Sequence, residues 1–305
     1  MSLIERALRR ARETAESTGS PEVPAARRTA GTRSLASGGS AATEARRVVA
    51  KPDVVITDAL LDAAGLRAPE AQQRQVLSEY RHVKRQLLGE IQSGETSRMI
   101  LIASALPGEG KSFSSANLAM SLALEPDYSV LLIDADVIKP NLTRVFGLTE
   151  RLGLMDAAAD PSIDVESLVL STSIPGLTVL PAGRMNPNAT EYFASARMQA
   201  LMEQLMSAPQ RLLVVDSLPL LLTTEARALA PLAGQVLLVV RAESTPRQAV
   251  MEAIDLLGEE LNVKLILNAA PRTKMLRYLG YGYGYGYNYN YGETTARGAS
   301  AKGEK

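Results

Sequence analysis

Residues 98–112, RMILIASALPGEGKS, join a continuous apolar run to a glycine-rich turn ending in Lys-Ser. Such a run is buried as a strand, and the turn must then release into a helix. Ala116, Leu118, Ala119, Leu122 and Leu124 follow it at helical spacing. From Ala105 onward the stretch matches the phosphate-loop pattern G-x-x-x-x-G-K-[ST] at every required place but the first, where Ala105 stands for glycine. Gly108 and Gly110 let the backbone curl so that successive N–H groups face a phosphate, and the helix behind them presents its positive end. The expected cradle comprises Pro107, Gly108, Glu109, Gly110, Lys111, Ser112 and Phe113. Within it Lys111 reaches the β and γ phosphates of ATP and the Ser112 hydroxyl ligates Mg²⁺.

Apolar runs of the same style recur at residues 129–134, 177–180, 211–216, 235–240 and 263–267. They are continuous rather than alternating, which suits parallel strands covered on both faces. Helical stretches at 190–207, 224–229 and 247–261 separate them. This alternation predicts an α/β fold, a doubly wound, mostly parallel sheet of P-loop ATPase architecture with a deviant Walker motif. In such a sheet ligands sit at the carboxyl ends of the strands. Asp134 follows VLLI, Asp136 lies two residues further, and Asp216 follows LLVV. All three leave their strands on the side where the phosphate loop emerges. Carboxylates gathered beside a triphosphate are what a hard Mg²⁺ ion needs, and one of them could take a proton from an attacking hydroxyl.

The 305 residues contain no cysteine, which excludes a disulfide framework and thiolate metal sites. Formal net charge is zero, so no global field argues for nucleic acid. No apolar run approaches the ~18 residues of a membrane span, and the expected location is cytoplasmic, with any membrane link made through a partner. Residues 1–16 read as an amphipathic helix with a basic face, from Arg6, Arg9, Arg10 and Arg12, suited to docking on a partner or weakly on an anionic membrane surface. Residues 17–68 read as a disordered tether, poor in large apolar side chains. Residues 69–272 then form the nucleotide-binding domain and 273–305 a flexible tail. The domain opens with a helical pattern over 69–93 that interleaves Glu79, Arg81, Lys84 and Arg85 with apolar positions, a charged face expected to meet solvent or a second subunit.

ALPGEGKS, LLIDAD, LVVDSLP and a tyrosine-rich C-terminus together resemble the bacterial tyrosine kinases. More narrowly, the chain resembles the soluble tyrosine autokinases encoded with exopolysaccharide and exosortase systems, which pair with a membrane-embedded chain-length determinant. The resemblance implies that Lys111 binds phosphate and that Asp134 is metal-associated and the candidate base. It further makes Asp136 the companion of Asp134 at the metal and Asp216 the Walker B carboxylate, with Asn268 as an adenine-side contact. It also implies a homo-oligomer recruited to the inner face of the plasma membrane by its partner's cytoplasmic segment. Departures are Phe113, where related loops place Ser or Thr, Lys139 for a common arginine, and His82 within the subunit-contact pattern counted from Glu79.

The tail reads YLGYGYGYGYNYNYG over residues 278–292 and holds seven of the ten tyrosines: Tyr278, Tyr281, Tyr283, Tyr285, Tyr287, Tyr289 and Tyr291. These are the expected autophosphorylation sites. A coil of this length reaches only about 20 Å, which favours transfer between touching subunits. The competing reading is a nucleotide-switched ATPase of the MinD/ParA kind without kinase activity. Leu106 occupies the place where those proteins carry a signature lysine, which argues against it. A non-catalytic scaffold with a sticky aromatic tail is the third reading.

Overall fold

The structure, a computed structural model, describes residues 51–270. The N-terminal helix over 1–16, the first part of the tether and the whole tyrosine tail lie outside the described residues.

Chain order gives α1 (Asp58–Ala63), α2 (Glu70–Gln92), β1 (Met99–Ser104), α3 (Lys111–Leu122) and β2 (Ser129–Asp134). Next come α4 (Asn141–Val145), α5 (Leu154–Ala159), β3 (Leu170–Ser171), β4 (Leu177–Leu180), α6 (Ala189–Phe193) and α7 (Ala196–Ser207). The domain closes with β5 (Arg211–Pro219), α8 (Glu225–Leu229), β6 (Gln235–Arg241), α9 (Arg247–Leu257) and β7 (Val263–Asn268). The strands form one sheet in the order β3-β4-β2-β5-β1-β6-β7. Every pairing is parallel except that of β3 with β4.

Alternation along β1 divides the core. Met99, Leu101 and Ala103 face a layer holding Phe193, Met198, Leu201, Leu229 and Ala253, whereas Ile100 and Ile102 face Leu61, Leu87, Leu118 and Leu122. Helices therefore cover both faces, as the unbroken apolar runs require. The long helical pattern over 190–207 is two helices, because the Ser195 hydroxyl accepts from Met198 N–H at 3.2 Å and starts α7 afresh.

The tether is shorter than its composition suggests. Val54 N–H donates to Ser171 O at 3.0 Å, Ser173 N–H returns the bond to Val54 O at 2.9 Å, and Val54, Leu61 and Leu66 are buried. Packing thus begins near residue 53 rather than at 69, because a few well-placed apolar groups suffice on an existing sheet edge. The face of α2 also differs from expectation at one place. Lys84 is buried, donating to Ser121 O at 2.9 Å and pairing with Glu125 at 2.6 Å.

Candidate nucleotide site at the carboxyl ends of the strands

The phosphate loop leaves β1, an interior strand between β5 and β6, and runs straight into α3. Gly108 (φ +77°) and Gly110 (φ +101°) both adopt the left-handed conformation that glycine permits. Gly110 is the N-cap of α3, without a side-chain cap and without an acidic residue in the first turn. The helix end is consequently free to meet an anion. Lys111 is buried, and its Nζ donates to Ser104 Oγ at 3.2 Å. Ser104 Oγ in turn donates to Leu106 O at 2.7 Å. Burial pushes the Lys111 ammonium down from its ordinary value, while Asp216, Asp136 and Glu109 oppose that shift.

Asp134 and Asp216 end their runs side by side, as directly paired positions of β2 and β5. Asp134 Oδ2 accepts from Thr143 N–H at 2.8 Å and its Oδ1 from Asp136 N–H at 3.2 Å. Asp216 Oδ1 accepts from the Ser115 hydroxyl at 3.1 Å. Its Oδ2 is enclosed without a hydrogen-bond partner. Burial first, and the Asp216 charge second, push Asp134 up to about 7. Burial likewise pushes Asp216 up to about 6, with the Ser112 hydroxyl and Lys111 opposing. Asp136 is raised by burial and held back by the Lys139 N–H, which donates to its Oδ1 at 2.8 Å.

Among the described residues, no group of three His, Cys, Asp or Glu side chains is placed to hold a metal ion by itself. The expected carboxylate triad is therefore an incomplete ligand set. The residues still fit a Mg²⁺ ion that arrives with phosphate oxygens, because the orphaned Asp216 oxygen and the Ser112 hydroxyl lie together at the loop.

Asn268, the expected adenine-side contact, stands at the phosphate loop. Its Nδ2 donates to Glu109 O at 2.9 Å, and a Cβ added at Gly110 would lie 1.9 Å from that nitrogen. Phe113 turns its ring toward Tyr80 of α2, with centroids 6.5 Å apart, so the residue in the usual hydroxyl position serves helix packing. Residues that the sequence pattern did not single out complete the site: Ser104, Ser115, Thr143, Arg241 and Thr245. Only Thr143 and Ser115 had a local signal, as hydroxyls one helical turn into the elements after the loops.

A mostly parallel sheet with a glycine-rich loop leaving an interior strand, ended by a lysine and flanked by strand-end aspartates, defines a P-loop nucleotide-binding domain. The family described as ParA, NUBPL iron-transfer P-loop NTPase, matches residues 95–210. The chain belongs to the bacterial tyrosine-protein kinase family. It is 30% identical over 188 residues to the putative tyrosine-protein kinase CapB of Staphylococcus aureus, covering 60% of this chain and 80% of that one. It is 37% identical over 159 residues to the putative tyrosine-protein kinase EpsB of Ralstonia nicotianae, covering 52% of this chain and 21% of that one. The chain thus spans about a fifth of the length of EpsB. Among solved structures, the VpsO kinase domain superposes with a TM-score of 0.58 at 29% identity, over 66% of this chain and 98% of that one.

Proposed function

We propose that this chain is an ATP-dependent protein-tyrosine autokinase whose acceptors are the tyrosines of its own C-terminal cluster, acting between copies. The observation that supports it most is the convergence of Lys111, Ser112, Asp134 and Asp216 at one end of the sheet, in a chain that carries seven clustered tyrosines over residues 278–291. The backbone N–H groups of residues 108–113 cradle the phosphates, and Lys111 follows charge on the β and γ oxygens. Ser112 and Asp216 Oδ2 would hold Mg²⁺, which supplies charge neutralisation on the phosphate oxygens. Asp134, with its affinity for protons raised toward neutrality, accepts the proton of the incoming tyrosyl hydroxyl. Tyr80, whose ring packs against Phe113 of the phosphate-loop helix, is buried and raised to about 12, so it is no acceptor.

The relatives' names, tyrosine-protein kinases and a succinoglycan biosynthesis transport protein, support a role in exopolysaccharide synthesis or export. The partner on this reading is the cytoplasmic segment of a membrane chain-length determinant. Among the described residues no helix is long and apolar enough to cross a membrane. On this reading recruitment to the membrane is made by that partner, or weakly by residues 1–16. Tandem mass spectrometry after incubation with Mg-ATP tests the proposal. Phosphate is expected on tail tyrosines and is lost in Lys111→Met. Phosphate that persists in that variant, or none in wild type with the partner segment present, overturns it.

A further inference from the structure

The crest of the phosphate loop is Gly108-Glu109-Gly110, two left-handed glycines around one acidic side chain. An extra carboxylate is a poor choice beside a triphosphate on charge grounds alone. Yet Glu109 is only 3% exposed and turns inward. Its Oε2 accepts from Leu106 N–H at 2.8 Å, and its Oε1 accepts from the Thr245 hydroxyl. Thr245 Oγ1 also accepts from Arg241 N–H at 3.0 Å, which fixes the threonine to the end of β6. Two further side chains grip the same crest. Arg241 Nη1 donates to Gly108 O at 3.0 Å, and Asn268 Nδ2 donates to Glu109 O.

We infer that Glu109 and Thr245 are positioning residues, a tie between the phosphate loop and the segment joining β6 to α9 that sets the loop's N–H groups before nucleotide arrives. The glycines on either side give the crest its curl and no anchor, so the loop's ordering would otherwise fall on binding. Glu109 spans from the start of the loop to its crest and hands the tie to a neighbouring strand. Preorganisation of this kind raises affinity by removing an ordering cost that binding would carry. The inference rests on the nucleotide-binding reading of the loop and is independent of where the phosphate goes.

Charge and positioning predict opposite signs for one variant. Removing the negative charge in Glu109→Gln tightens ATP binding if electrostatics dominates. Losing the tie weakens it. Isothermal titration of the full chain with Mg-ATP and with Mg-ADP decides. We expect Glu109→Gln and Thr245→Val each to weaken both nucleotides by about tenfold, the scale of one lost buried hydrogen bond. The double variant should be little worse than either single, and Thr245→Ser should restore most of the affinity. A KM for ATP that rises with kcat nearly unchanged completes the pattern. Unchanged or tighter binding in Glu109→Gln, or Thr245→Ser as weak as Thr245→Val, overturns the inference. Should Glu109→Gln not fold, the Val and Ser variants at 245 carry the same decision. Wild-type protein that binds neither nucleotide overturns the nucleotide reading and this inference with it. Wild type that binds nucleotide but phosphorylates no tyrosine overturns only the kinase assignment, and the tie is then judged on the binding data.

Discussion

Asp134 lies directly beside Asp216, paired in register across neighbouring parallel strands, with both side chains about 1% exposed. Two carboxylates held this way cannot both ionise at little expense: burial first, then the Asp216 charge, push Asp134 up to about 7, and burial, with a smaller push from Asp136, raises Asp216 to about 6. The pair is best satisfied by a cation. Lys111 supplies part of that charge, and the unpartnered Asp216 oxygen marks where more is needed.

The nucleotide-free domain should therefore be more stable in mild acid. Both carboxyls ionise near 3.8 in an unfolded chain and higher in the folded one, so the folded state binds more protons between those values. Stability is full below the unfolded value and is lost as pH rises through about 6 to 7. Thermal melting of ligand-free protein is expected to fall by a few degrees from about pH 5.5 to about pH 8, at roughly 2–4 °C per kcal/mol for a domain of this size. Asp134→Asn should flatten that slope and melt higher than wild type at the alkaline end.

Magnesium-nucleotide should reverse the preference. A cation at the pair favours the ionised carboxylates, so binding near neutral pH releases protons. Titration calorimetry in two buffers of different ionisation enthalpy should report release of up to about one proton per site, since the pair titrates as a unit. The release should shrink in Asp134→Asn. Without magnesium, nucleotide should release little. Equal release with and without the cation would refute the placement of the charge.

The strands and long helices were legible because both faces of the sheet are covered. Runs such as 129–134 and 235–240 show no alternation, and β2 and β6 begin and end within a residue of them. The phosphate loop and the strand-end aspartates were legible for the same reason, since each is local to one strand and one turn. What the pattern missed is held by side chains far apart in the chain. Glu109 meets Thr245 across 136 positions and Asn268 across 159, and no spacing rule reports such pairs. Residues 54–66 escaped because their few apolar groups are too sparse for a periodic signal, though Leu66 O still receives the Asn117 side chain at 2.8 Å. Lys84 escaped because a lysine among charges is ordinarily solvated, while here a carbonyl and a carboxylate await it.

That buried lysine gives a stability test. Removing Glu125 leaves the Lys84 ammonium buried with only the Ser121 carbonyl, whereas Lys84→Met removes the charge and keeps the stem that packs between α2 and α3. Glu125→Ala is expected to lower stability by about 1–3 kcal/mol and Lys84→Met by less, read from urea denaturation with an unchanged slope. A larger loss for Lys84→Met would mean that the ion pair itself holds the helices together.

Two glycines near the site should respond differently to alanine, because their neighbours differ. At Gly110 an added Cβ meets Asn268 Nδ2 at 1.9 Å, the far end of a side chain that can move, and φ of +101° adds strain. At Gly153 the Cβ would meet backbone on two sides, Pro181 O at 2.1 Å and Gly183 N at 2.3 Å. Gly153 has an ordinary extended φ of −151°, so proximity alone excludes a side chain there. Gly110→Ala is expected to abolish measurable nucleotide binding while costing about 1–2 kcal/mol of stability, the scale of a strained left-handed residue. Pairing it with Asn268→Gly should recover part of the stability and little of the binding, because the phosphate loop stays misshapen. Gly153→Ala should cost more, about 3 kcal/mol or above, since the contact of α5 with the segment after β4 must open. No single side-chain truncation should rescue it. Chemical denaturation of these three variants, and of Gly153→Ala paired with nearby truncations, beside Mg-ATP titration separates the two cases: equal rescue of Gly153→Ala by any nearby truncation would show that its backbone neighbours yield.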